Sequence, residues 1–458
     1  MTINAAISEL ASLLGERLTT SKSDRDIHGR SEVYYQPMPP DAVAYPETTE
    51  EVSALVEICA RHDCPVVPWG TGTSLEGHAL AAKGGVTVDF QRMNAVLQIN
   101  DEDMDVRVQP GITRIALNEE LRATGLFFSV DPGANASIGG MASTRASGTT
   151  TVRYGTMAQN VMGLEVVLAD GRIIRTGSRA RKTSAGYDLT QLFVGSEGTL
   201  GLITELTLKL QGQPEAVSAG ICAFPDMHSA VNCVMTTIQM GLPMARIEFV
   251  DAATAQAFNT YSGTDTFPAL PHLLVEFHGS EAAVAEQAER FGELVEDYGG
   301  SGFKSATRAE ERNALWKLRH DGYYAILQAF KGYTAMSTDI CVPISQLADA
   351  VTQAQKDIAD SPLDGPILGH VGDGNFHAIL MIDPDKPEDL REAKRLADRM
   401  VERALDAGGT VTGEHGVGMG KMKYMTREHG DAWSVMADIK RSFDPQNILN
   451  PGKMVQIN

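Results

Sequence analysis

Trp69-Gly-Thr-Gly-Thr-Ser-Leu-Glu-Gly77 follows directly on Pro65-Val-Val-Pro68, an apolar run that reads as a buried strand. A loop of glycines and hydroxyls leaving such a strand can turn its backbone N–H groups toward a pyrophosphate. The spacing is not Gly-x-Gly-x-x-Gly, because Gly70 and Gly72 are followed by Gly77, so a nicotinamide site of that type is unsupported. Nor does Gly420-Lys421 make a P-loop: His415 stands where the first glycine belongs, and Met422 where Ser or Thr belongs.

Upstream, Ile3, Ile7, Leu10, Leu13 and Leu14 recur at helical spacing over residues 3–18. A short strand near Val43–Tyr45 precedes Thr48–Glu50, which starts an amphipathic helix running to about Arg61. Downstream, strands near Val86–Asp89 and Val106–Val108 lead to a second small-residue tract. It runs Asp131-Pro-Gly-Ala-Asn-Ala-Ser-Ile-Gly-Gly140, then Ser147-Gly-Thr-Thr-Thr151 and Tyr154-Gly155. Residues this small cannot build a core, so the tract is expected to lie against something large and flat. Val161–Ala169 and Arg172–Arg175 read as strands joined at Asp170-Gly171, a hairpin signal. Leu192-Phe-Val-Gly-Ser-Glu-Gly-Thr-Leu-Gly201 and an alternating strand, Ile203–Leu210, close this half.

These three motifs, in this order, resemble the FAD domain of the vanillyl-alcohol-oxidase/p-cresol-methylhydroxylase flavoproteins over roughly residues 35–215. The resemblance implies two α+β subdomains clasping an extended FAD. Carried over by motif, Pro68, Gly70, Thr71, Gly72, Thr73 and Ser74 would contact the diphosphate. Pro132, Gly133, Ser137, Gly140, Ser147, Gly148, Tyr154 and Gly155 would line the flavin, with Glu197, Gly198 and Ile203 toward the adenine. Some relatives attach FAD through a histidine in the first loop. Here the nearest is His78, just past it, so a noncovalent flavin is expected.

From about residue 216 the pattern changes to helices and strands in alternation: helix Met227–Met240, strands Arg246–Val250 and His272–Phe277, helix Ala282–Tyr298. This reads as an α+β substrate domain, and the expected division is 1–215 and 216–458. A helix over 309–330 would carry Trp316, Arg319 and Tyr323 on one face, where Arg319 can hold a carboxylate through a charge-assisted pair. Thr338–Val342 reads as a strand. Gly369-His-Val-Gly-Asp-Gly-Asn-Phe-His377 sets two imidazoles on either side of a glycine-rich turn. Strand Ile379–Ile382 and helix Pro387–Ala407 then lead to Gly413-Glu-His-Gly416. Three imidazoles and a carboxylate suit a borderline divalent ion such as zinc, manganese or iron. A last helix is expected over about 428–443.

The stretches around His370, Glu414 and Asn450-Pro-Gly-Lys453 are similar to the FAD-linked D-2-hydroxy-acid dehydrogenases, which include glycolate oxidase and D-2-hydroxyglutarate dehydrogenase branches. Leu315-Trp-Lys-Leu-Arg-His320 and Ser337-Thr-Asp-Ile-Cys-Val-Pro343 look closest to the D-lactate (cytochrome-type) branch. The hydroxyglutarate branch has a Thr four residues after the arginine and a Lys on the next strand. Here Tyr323 takes the first place and Met336–Val342 holds no lysine, which favours a short monocarboxylate. The resemblance implies a metal on His370, His377 and Glu414, Arg319 on the substrate carboxylate, and Asn450 among the cofactor contacts. It implies His415 as the base that takes the 2-hydroxyl proton while hydride passes to flavin N5.

Composition limits the partners. A net charge of −20 with no basic block argues against nucleic acid and anionic membranes. Five cysteines without Cys-x-x-Cys spacing suit a reducing compartment. No apolar run reaches the ~18 residues of a membrane span, and the first residues show no secretory pattern, so a cytoplasmic enzyme is expected. The electron acceptor (a quinone, a cytochrome or an electron-transfer protein) and the assembly (a homodimer or a subunit of a larger complex) stay open. So does a flavin- and metal-binding regulatory module without turnover.

Overall fold

The computed structural model describes residues 2–30 and 34–457; Met1, first in the stretch read for a leader, lies outside them. The chain forms two compact units, of which the first comprises Met1–Ser147, Gly155–Gln213 and Glu414–Asn458. The second comprises Gly148–Tyr154 and Pro214–Gly413.

The first unit holds two main sheets. In one, the order is Leu18–Thr19, Ala42–Ala44, Val86–Asp89, Val66–Trp69, the last three parallel. Val66, Val86 and Val88 are fully buried, as expected for parallel strands covered on both faces. Pro68 lacks an N–H but is tolerated because Val66–Trp69 ends the sheet order. Thr48 caps helix Thr49–Arg61 by accepting from Glu51 N, and the helix buries Val52, Leu55, Val56 and Cys59 on this core.

The other sheet is antiparallel, in the order Val96–Asn100, Asp105–Val108, Leu202–Lys209, Val161–Val167, Ile173–Gly177. The Asp170-Gly171 hairpin forms as read, with Gly171 at φ 83°. The returning segment completes both cores. Ile439 and Phe443 pack on one, with Phe443 edge-on to Phe193 at 5.7 Å, and Ile448 and Leu449 enter the other. The helix expected from 428 starts at Ala432, because Gly430 (φ 54°) ends a separate turn, Met425–His429. Within it, Lys440 is buried and donates to Thr199 O and Leu449 O, both at 2.8 Å, and to Asp444.

The second unit is built on one antiparallel sheet. Its order is Ser301–Ala306, Ala216–Ala223, His272–Gly279, Met244–Val250, Ile367–Gly369, Asn375–Ile382, Thr334–Ser337. Helix Pro387–Asp406 buries Ala393, Leu396, Met400, Val401 and Ala404 and stops before Gly408 (φ 77°), as the stripe required.

Two expectations change here. The helix over 309–330 is two helices, Ala309–His320 and Gly322–Ala329. Gly322 is a poor helix former lying against the Phe258 ring, and the Asp321 carboxylate is held by Tyr261 Oη at 3.3 Å. Trp316 and Arg319 therefore share a buried face, whereas Tyr323 sits on the next helix, half-buried. The strand over Thr338–Val342 is interrupted at Thr338-Asp339, between Thr334–Ser337 and Ile340–Cys341. No helix among the described residues is long and apolar enough to cross a membrane.

Candidate active site and cofactor-binding loops

In the first unit the three glycine-rich motifs converge. A Cβ on Gly70 would fall on Ser137 Oγ, and one on Gly140 would come within 2.9 Å of the same oxygen. Only glycine lets these two loops close. Ser137 Oγ is itself buried and without a hydrogen-bond partner among the described residues. An orphaned hydroxyl between two side-chain-free backbones fits a ligand that supplies the missing acceptor, as a flavin nucleotide does. Gly72 (φ 72°) turns under the Trp69 ring, and Thr71 and Thr73 hydroxyls are 3.2 Å apart. The third motif is tied to helix Ile138–Thr144: Gly195 N donates to Ala142 O at 2.9 Å and Glu197 N to Ser143 O at 2.8 Å. Gly198 (φ 69°) packs on the Pro68 ring, so the first and third motifs touch.

Glu197 is the charged centre of this unit. Its carboxylate accepts from Val417 N at 2.7 Å and Gly418 N at 2.9 Å, and lies 3.2 Å from His78 Nε2. Burial pushes its pKa up, but the His78 charge and those amides outweigh that and hold it below the usual carboxylate value. Asn450 Nδ2 donates to His78 O (3.0 Å) and Glu197 O (2.7 Å), while Lys453 Nζ donates to Leu80 O (2.5 Å) and Asn450 Oδ1 (2.7 Å). Burial lowers the Lys453 pKa to about 7. Asn450 thus braces the first and third motifs. In the sequence Lys453 stands only as the end of the Asn450-Pro-Gly-Lys453 motif, which shows neither its buried hydrogen bonds nor the His78–Glu197 contact. Ser147 Oγ donates to Glu414 Oε2 at 2.5 Å. Pro132 is half-buried, Gly133 borders open space, and Gly155 turns at φ 78°. The Ile203 side chain belongs to the apolar core.

Gly148 and Tyr154 fall in the second unit, where Tyr154 Oη bonds His278 Nδ1 at 2.7 Å and His278 Nε2 lies 2.8 Å from Glu276 Oε1.

The two imidazoles come together in that unit as the glycine-rich turn predicted. His370 leaves strand Ile367–Gly369, Val371–Asp373 and Gly374 (φ 78°) reverse the chain, and His377 rides on strand Asn375–Ile382. The ring centroids are 5.6 Å apart with planes at 84°. His370 Nδ1 lies 2.8 Å from Glu248 Oε1, and His377 Nδ1 lies 3.0 Å from Thr338 O. Both acceptors lack a proton to give, so each ring presents Nδ1–H to its acceptor, and a neutral ring held this way carries its lone pair on Nε2. That is the tautomer of a metal-ligating histidine braced from behind, and the donor set fits a divalent cation.

Asp339 is buried and accepts from Asn375 Nδ2 (2.8 Å) and Thr412 Oγ1 (2.6 Å). A Cβ on Gly413 would collide with the Asn375 amide and reach within 3.2 Å of Asp339 Oδ1. The residues bonded next in the chain are Glu414 and His415, the latter half-buried.

Arg319 is 6% exposed, and its Nη2 donates to Glu248 Oε2 at 2.5 Å. Its Nε has no partner among the described residues. Sequence reading missed Glu248. The available signal was a lone acid between apolar neighbours, Ile247 and Phe249, in strand Met244–Val250.

Comparison with known proteins agrees with the fold and with a flavin-binding first half. The family model for FAD linked oxidases, C-terminal domain, matches residues 213–454, and that for the FAD binding domain matches residues 40–177. The chain is 46% identical over 460 residues to a probable mitochondrial D-lactate dehydrogenase of Danio rerio, covering 99% of this chain and 92% of that one. It is 44% identical over 452 residues to the mitochondrial D-lactate dehydrogenase [cytochrome] of Arabidopsis thaliana, covering 98% and 80%. The solved structure of p-cresol methylhydroxylase with substrate bound superposes with a TM-score of 0.79 at 17% identity, covering 98% of this chain and 96% of that one. That match bears on fold alone, and it is the fold the three glycine motifs implied. With both halves matched by family models and relatives of this identity along nearly its whole length, the chain belongs to the FAD-linked oxidases, flavin-dependent oxidoreductases.

Proposed function

We propose that the chain oxidises a short D-2-hydroxy acid, D-lactate first, to the 2-oxo acid, with FAD as the oxidant. The relatives' names support the substrate class. The observation that carries the reading is the pair of buried imidazoles, His370 and His377, both braced at Nδ1, the arrangement in which a neutral ring carries its lone pair on Nε2. Glu414 would complete the ligand set. It follows Thr412-Gly413, which lies beside Asp339 and Asn375, and its carboxylate accepts from Ser147. Bound FAD supplies the hydride acceptor, and the bound zinc, manganese or iron supplies positive charge that acidifies the 2-hydroxyl. Arg319 offers its remaining N–H groups to the substrate carboxylate, Glu248 having taken Nη2. His415 accepts the hydroxyl proton on its imidazole. Tyr323, and the absence of lysine from Met336–Val342, favour a monocarboxylate over a longer diacid.

In this reading residues 1–215 bind FAD and residues 216–458 bind substrate and metal, with Glu414–Asn458 folding as part of the first unit. The electrons pass on to a quinone, a cytochrome or an electron-transfer protein, and the cytochrome named in the Arabidopsis thaliana relative's description supports an acceptor of that kind. The compartment is reducing and cytoplasmic, although the two relatives are named mitochondrial. Anaerobic D-lactate is expected to bleach the flavin absorbance within a single turnover while L-lactate leaves it unchanged. A flavin that no D-2-hydroxy acid reduces would leave a binding module in place of an enzyme.

The flavin is held without a covalent bond, since His78 lies against Glu197 and the first loop contains no histidine. Acid precipitation is expected to release all FAD into the supernatant, read by its absorbance. Yellow protein in the pellet would refute this.

A further inference from the structure

Glu248 is a carboxylate whose two oxygens serve two different functional residues. It projects from strand Met244–Val250, which is hydrogen-bonded on both sides, to His272–Gly279 and to Ile367–Gly369. Its side chain is 1% exposed. Oε1 takes the Nδ1 proton of His370 at 2.8 Å, and Oε2 takes Nη2 of Arg319 at 2.5 Å. A buried arginine needs one neutralising carboxylate, and that need alone would account for the second contact. It does not account for the first. An imidazole that ligates through Nε2 requires an acceptor behind Nδ1, and an arginine that grips an anion requires its fork to point in one direction.

We infer that Glu248 is a positioning residue that sets the ligating tautomer of His370 and the direction of Arg319 together, through one rigid group. The inference rests on the proposed roles of those two residues as metal ligand and carboxylate anchor. It makes metal binding and substrate anchoring depend on a residue that touches neither.

Glu248→Ala removes both acceptors at once. In the FAD-loaded protein, affinity for added Mn²⁺ or Zn²⁺, measured by chelator competition, is expected to fall on the order of 10–100-fold. The KM for D-lactate is expected to rise by about tenfold or more, with flavin content unchanged. A carboxylate that only neutralised Arg319 would lower thermal stability without moving metal affinity, so a wild-type value of either quantity overturns the inference. If the unpaired arginine prevents folding, Glu248→Met with Arg319→Met replaces the pair by apolar side chains of similar size. Metal affinity must still fall on the order of 10–100-fold in that protein, and an unchanged affinity overturns the inference.

Should the wild-type protein bind no metal, the proposed function fails by itself. Glu248 is then judged by ¹⁵N NMR of the histidine side chains. His370 protonated at Nδ1 in the wild type, and losing that preference in the double variant, supports the positioning role. The same tautomer in both proteins rejects it.

Discussion

Changing His377 to alanine is expected to strip the divalent metal and D-lactate turnover from the protein while leaving its flavin content at the wild-type level. His377 stands on strand Asn375–Ile382, 5% exposed, with Nδ1 held by Thr338 O. Alanine removes the Nε2 lone pair outright. The loss of metal affinity should therefore exceed the roughly 10–100-fold that follows when only a bracing partner is removed. The flavin should stay, because the Gly70–Ser137–Gly140 closure and the Gly198–Pro68 contact are internal to the first unit. Truncating a buried ring also leaves a cavity, a cost of a few kcal/mol in a packed core, so thermal stability should fall as well. Elemental analysis after dialysis, beside the flavin spectrum, separates the two effects. Wild-type metal content in this variant, or full activity of the parent after exhaustive chelation with no metal found, would end the metal reading.

The fold was legible wherever the local signal was conformational. Glycines that must adopt positive φ or meet another backbone (Gly72, Gly171, Gly198, Gly374) mark their turns whatever surrounds them. The turn between His370 and His377 could be read for the same reason. What stayed hidden depends on partners distant in sequence. Glu248 is separated from His370 by 122 residues and from Arg319 by 71, so no spacing rule links them. Lys440 and Lys453 look like solvated basic residues. Both are buried because backbone carbonyls far away in the chain accept their protons. The break at Asp321 escaped periodicity analysis, since the apolar pattern passes through it while Gly322 and the pull on Asp321 do not. Sequence also gives no sign that residues after Glu414 fold with the first unit, because their apolar stripe matches either core equally well.

Anaerobic flavin reduction by D-lactate should slow by about 10²–10⁴-fold in His415→Asn, the usual worth of a general base, with metal and FAD still bound. His415 lies in a stretch with little freedom. Gly416 turns at φ 81°, where a Cβ would come within 2.7 Å of both Glu197 Oε1 and His78 Nε2. The next two amides, Val417 and Gly418, are held by the Glu197 carboxylate. The backbone on the C-terminal side of His415 is therefore fixed by a fully buried anion. On its other side, Glu414 is fixed by the Ser147 hydroxyl. A side chain between two such anchors has few directions to take, which suits a base that must meet one proton. Neutral imidazole accepts that proton near pH 7, whereas asparagine keeps much of the size and none of the basicity. The competing assignment makes His415 a further metal ligand. The two part cleanly: loss of metal from His415→Asn identifies a ligand, retained metal with slow reduction identifies the base, and an unchanged rate removes His415 from the reaction.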